Sequence, residues 1–151
     1  MSELKENFKD KQTTLILESV YRNAKLAYKA TLAVLNRCRN NELYGELSRE
    51  QDRYKKVAFR ARRELSRMGK AAYEASPYVR AMVKTGIAMK TASNNDTSHL
   101  AEIMFRGTSM GIIDMQRTLN RSRMANGSIR ESAEKLLKRE QQFCDDLKRF
   151  L

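Results

Sequence analysis

The stretch TTLILESVYRNAKLAYKATLAVLNRCR, residues 13–39, decides the fold. Leu17, Val20, Tyr21, Ala24, Ala27, Tyr28, Thr31, Val34 and Leu35 recur in it at spacings of three and four, the period of an α-helix with one buried stripe. The stripe predicts a helix from about Thr13 to Arg39, preceded by a polar, frayed terminus over residues 1–12. It runs into Arg37, Cys38, Arg39, Asn40 and Asn41. Cations suit a helix C-terminus and asparagines suit the turn that follows.

Working outward, Asn41 can cap a second helix that carries Leu43, Leu47, Tyr54, Ala58, Ala61, Leu65 and Met68 and stops at Gly69. Each helix is on the order of 27 residues, or ~40 Å, so the two pack side by side as a hairpin. Beyond it, residues 70–96 read as a connector. Ser76 and Pro77 start a shorter helix that reaches about Ala92, and the polar run Ser93–Asp96 follows. A connector of this length is able to cross the height of a bundle.

A third long helix starts at Asp96, Thr97 or Ser98, with Glu102 placed for a capping arrangement, and runs to about Met124. Its stripe holds Leu100, Ile103, Met104, Gly107, Gly111, Met115 and Leu119. The Gly107/Gly111 spacing costs helix propensity unless a neighbouring helix or a bulky aromatic approaches that face. After a turn at Ala125, Asn126 and Gly127, Ser128 caps a last helix with Ile129, Ala133, Leu136, Phe143, Leu147, Phe150 and Leu151 on one stripe. The fold class is therefore all-α: a single four-helix-bundle domain over residues 13–151.

Composition agrees. One proline, six glycines and no tryptophan in 151 residues leave too little punctuation for a sheet. No segment approaches the ~18 apolar residues of a membrane span, and the N-terminus has no apolar signal core, so a soluble, cytoplasmic protein with no membrane partner is expected. Thirty Lys and Arg against eighteen Asp and Glu give a net charge of +12, which attracts polyanions but otherwise serves solubility. Cys38 and Cys144 are too few for a disulfide framework and have no histidine nearby to complete a zinc pattern.

Three constellations could carry function. Bundles hold metals by turning carboxylates and histidines inward. Glu50 and Glu140 fall on or near the apolar stripes, but Arg53 and Phe143 stand three residues later, where a di-iron pattern has histidine. The single histidine, His99, precedes Glu102 by three, the reverse order, and reads as a capping or surface residue. The expected satisfaction of the two acids is therefore protein-made, by Tyr21, Tyr28, Tyr54, Asn23 or an arginine, with no cofactor. Asp114 is placed to cap a surface arginine. On the second helix, Arg53, Lys56, Arg60, Arg63 and Arg67 recur at three and four as a basic stripe able to track phosphates, though no exposed aromatic is evident beside it. Nucleophile and phosphate-loop motifs are lacking, so the sequence leans away from an enzyme.

KTGIAMKTASNNDTSHLAEIMFRGTSMGIIDMQRTLN, residues 84–120, resembles a group of small bacterial proteins of ferritin-like helical fold, frequent in clostridia. Residues 98–104 and 107–111 carry the likeness, with Glu140 ahead of Leu147, Lys148 and Leu151. It implies two hairpins joined by a long crossover, with Cys38 and Cys144 toward one end and Glu50 and Glu140 at similar heights. It implies no activity, and ferroxidase chemistry would need histidines this chain lacks. A homo-oligomer formed through an exposed helix face is the expected assembly.

Overall fold

The computed structural model describes residues 2–72, 86 and 95–151. Among them are four long helices: α1 (Ser2–Leu35), α2 (Asn41–Arg67), α3 (Thr97–Arg121) and α4 (Gly127–Leu147), with a 3₁₀ turn over Lys148–Phe150. The connector helix read between Ser76 and Ala92 lies outside the described residues, apart from Gly86.

Two apolar clusters fix the helix directions. At one end the close of α1 (Val34, Leu35), the opening of α2 (Leu43, Leu47), the opening of α3 (Leu100, Met104) and the close of α4 (Phe143, Leu147) share a core. At the other, Ile16 of α1 meets Met115 and Leu119 of α3, with Ala133 and Leu137 of α4. So α1 and α4 run one way, and α2 and α3 the other. Arg67 and Thr97, the residues that bound the connector, consequently sit at opposite ends of the bundle. Between the clusters Tyr21, Ala24, Ala58 and Ala61 form a seam of mostly small side chains that lets α1 and α2 approach closely.

The helix ends follow local chemistry, with shifts of one or two residues. Asn40, not Asn41, caps α2, its side chain accepting from the Leu43 amide at 2.9 Å. Gly69 closes the helix at φ 70°, the left-handed turn that glycine adopts at no steric cost. Asp96 caps α3 through the His99 amide at 2.7 Å, while Glu102 pairs with Arg106 instead of completing a capping box. Asn126, not Ser128, caps α4 and accepts from the Ser128 and Ile129 amides.

α1 begins at Ser2, well upstream of Thr13, because nothing in residues 2–12 breaks a helix. The Thr13 and Thr14 hydroxyls donate back to the Lys9 and Asp10 carbonyls, and Gln12 and Thr13 accept from the amides of Met124 and Asn126. That contact marks the end of the bundle, so the first turns of α1 lie mostly exposed beyond it.

Candidate functional site

On α2, Glu50, Arg53 and Tyr54 stand at i, i+3 and i+4 and so share one face. That face meets Glu140 and Arg139 of α4. Glu50 is 1% exposed and Glu140 7%, depths at which an unpartnered carboxylate is prohibitively costly. Every carboxylate oxygen has a donor. Arg139 Nη2 donates to Glu50 Oε1 at 2.6 Å, and Arg53 Nε to Glu50 Oε2 at 2.7 Å. Arg53 Nη2 donates to both Glu50 Oε2 and Glu140 Oε1, bridging the two acids. The Tyr54 hydroxyl donates to Glu140 Oε2 at 2.8 Å, and the Arg53 guanidinium lies 4.7 Å from the centre of the Tyr54 ring. Two carboxylates and two guanidiniums make the cluster formally neutral.

Burial opposes the charge on Arg53, but the field of Glu140 and the bonds to Glu140 and Glu50 outweigh it, so the guanidinium is held firmly protonated. Burial pushes the Glu140 carboxyl above its ordinary range against the pull of Arg53 and Tyr54. It also raises Tyr54, with the Glu140 charge adding to the effect, and keeps the phenol neutral as a donor. Arg53 Nη1 is buried with no acceptor among the described residues.

A second polar cluster joins α1 to α3. Asp114 Oδ2 accepts from Asn23 at 2.7 Å, Ser19 at 3.0 Å and Arg22 at 3.0 Å. Burial works against this carboxylate, but the three donors overcome it and hold its pKa down.

Between the two clusters lies a cleft of about 470 Å³, with Tyr54, Glu140 and Asp114 among its polar lining and Ala27, Ile103 and Met115 among its apolar walls. Gly107 and Gly111 line it. The close partner expected there is not found among the described residues: a Cβ at Gly107 meets nothing within 4 Å, and one at Gly111 meets only Asn23, at 3.6 Å. Among the described residues, the two glycines form part of the cleft wall.

The structure brings Glu50 and Glu140 together, at one height, as expected. It does not join His99 and Glu102 to them as a ligand set. Those two sit on the first turns of α3, 4.0 Å apart, and no group of three or more His, Cys, Asp or Glu among the described residues is arranged to hold a metal. Arg53, read from the sequence as part of the basic stripe, is half-buried and bridges Glu50 and Glu140. On the remaining stripe, Lys56 pairs with Asp52 at 2.9 Å and Arg67 with Glu64 at 2.8 Å. Arg60 and Arg63 are exposed, with no ion-pair partner among the described residues. Phe59 beside them is 65% exposed, so an aromatic does accompany the stripe.

Cys38 and Cys144 are free and belong to the same end, both thiols raised above their usual range chiefly by burial. Protonated thiols are poor nucleophiles. Sequence reasoning missed Arg139 as a partner of Glu50, for which no local signal exists. Arg53 was within reach, since i+3 from an inward glutamate is itself inward.

No family model, curated protein or solved structure matches the chain.

Proposed function

We propose that the chain is a ferritin-like bundle protein that binds or scaffolds instead of catalysing, with an arginine-bridged carboxylate pair in the position where ferritin-like relatives hold metal. The observation that carries this reading is Arg53, whose guanidinium donates to Glu50 and Glu140 at once. A divalent cation between those acids would have to displace a guanidinium and then tolerate its charge nearby, in a cluster that is already neutral. The helix directions support the ferritin-like part, since parallel α2 and α3 need a connection that spans the bundle. The cleft beside Glu140 supports a binding role, being of the size that holds small molecules.

Elemental analysis of untagged protein, beside thermal melts with iron, manganese or zinc, tests the reading. The expected result is no stoichiometric metal and no stabilisation. One or two ions per chain with a raised melting temperature would establish the carboxylate-rich metal protein instead.

Self-association belongs to this reading. Leu4, Phe8 and Leu15 stand on one side of the opening turns of α1 at 62%, 49% and 44% exposure, an apolar stripe that a second chain would cover. Sedimentation equilibrium should show an oligomer that Leu4→Glu/Phe8→Glu dissociates; a monomeric wild-type chain would remove this part.

A further inference from the structure

We propose that the solvent face of the second half of α2 binds single-stranded nucleic acid. The surface is independent of the Glu50–Arg53–Glu140 cluster and of the metal question. Lys55, Phe59 and Arg62 fall at i, i+4 and i+7, one line along the helix, and Arg60 and Arg63 flank that line. All five are exposed.

The acids on this half of the helix are already engaged. Asp52 pairs with Lys56, and Glu64 with Arg67. Lys55, Arg60, Arg62 and Arg63 are left without an ion-pair partner among the described residues, on a chain whose net charge is +12. Complementarity therefore calls for a polyanion. Three of the four cations are arginines, whose planar fork matches phosphate oxygens in two-point contacts that lysine does not make.

Phe59 narrows the class. An anionic membrane surface would be met by several apolar side chains on the same helical face. Here one aromatic ring stands alone among cations on this half of α2, the arrangement that stacks an unpaired base while flanking charges hold the backbone. A duplex keeps its base faces stacked inside and offers this ring no partner. From Lys55 to Arg63 the helix rises about 12 Å, enough for three or four phosphates of a stacked strand at about 3.4 Å each, as many as there are unpaired cations.

Fluorescence anisotropy with the full chain and an end-labelled oligothymidylate of about 20 nucleotides tests the surface. Between about 50 and about 200 mM salt, the logarithm of affinity should fall against the logarithm of salt with a slope of about −2 to −3. Arg60→Glu/Arg63→Glu should weaken binding at least ~10-fold at the low-salt end. Phe59→Ala should weaken single-strand binding by about 10-fold and leave duplex binding of the same length unchanged. These positions are exposed, and melting curves by circular dichroism show whether each variant keeps its helices. Absent or salt-independent binding by the wild-type chain overturns the proposal. So does an unchanged Arg60→Glu/Arg63→Glu variant, an equal loss on both nucleic acids with Phe59→Ala, or preferential capture by anionic phospholipid vesicles.

Discussion

Glu140 and Asp114 meet the same kinds of partner, yet their pKa values move in opposite directions. Each accepts from an arginine on another helix and from neutral donors: Tyr54 for Glu140, Ser19 and Asn23 for Asp114. The Glu140 side chain is 9% exposed and that of Asp114 43%. The first carboxyl is raised by burial despite its partners, and the second is lowered by its partners despite burial. Solvent access, more than the inventory of donors, sets the sign. An ion pair that water can still reach is cheap to form and cheap to lose, whereas a dry one returns little net energy yet is expensive to break.

The largest expected effect breaks the bridge between the two buried carboxylates. Arg53→Met removes the bridge and leaves Glu50 and Glu140 facing each other in a buried site, which should cost about 3–5 kcal/mol in urea unfolding. A loss below about 1 kcal/mol would mean that the two acids do not depend on the bridge, and the contrast with Asp114 would collapse. Asp114→Ala should cost much less, about 1 kcal/mol after discounting for solvent, because Arg22 and Asn23 can turn to water. Equal losses at the two sites would show that burial is not what separates them.

The same contrast explains what could be read from sequence. The four long helices were legible because each carries a stripe with period 3.6; their order holds, and the bounds hold to within a few residues except at the start of α1. Gly69 marked a real stop. Residues 2–12 offer only Leu4 and Phe8 at helical spacing, too short a series to mark a helix, because those turns extend past the bundle and bury little, yet their backbone continues the helix. Periodicity is strongest where a helix is buried along its length. In the site, Glu50 and Glu140 stood out as acids on apolar faces, and Asp114 with a surface arginine was foreseen. The bridging contact of Arg53 was not legible, because its place in a three-and-four series of cations fits a solvent-facing stripe and an inward bridge equally well. Tertiary contact with Glu140, 87 positions away, decides between them. The exposure of Phe59 was hidden for a related reason: on an amphipathic helix a phenylalanine is ordinarily assigned to the core.

The cleft between the two clusters offers a smaller test of the opposite sign. Gly107 carries the helix-propensity cost of glycine, and an added Cβ meets nothing among the described residues. Gly107→Ala should therefore stabilise the protein by about 0.5–1 kcal/mol in thermal or urea melts. Destabilisation would place a close neighbour against that wall and close the cleft.

The finest test concerns the sign of the proton linkage, which the two carboxyls should carry in opposite directions. Glu140 has a folded pKa raised above its unfolded value, so on acidification the native state takes up the proton first. Relative to Glu140→Gln, the wild-type protein should gain stability as pH falls through that raised value, with the gain complete below the unfolded range near ~4.3. Asp114 has a lowered folded pKa, so its contribution is present above ~3.9 and is lost as pH falls through the folded value. The stability gap between wild type and Asp114→Asn should accordingly close in acid. Urea midpoints for the three proteins, followed from about pH 7 to about pH 3, should show one gap moving toward the wild type while the other vanishes. Movement of both in the same direction would mean that the two sites are equally wet, and that the distinction between a buried bridge and a solvent-reached pair does not hold in this bundle.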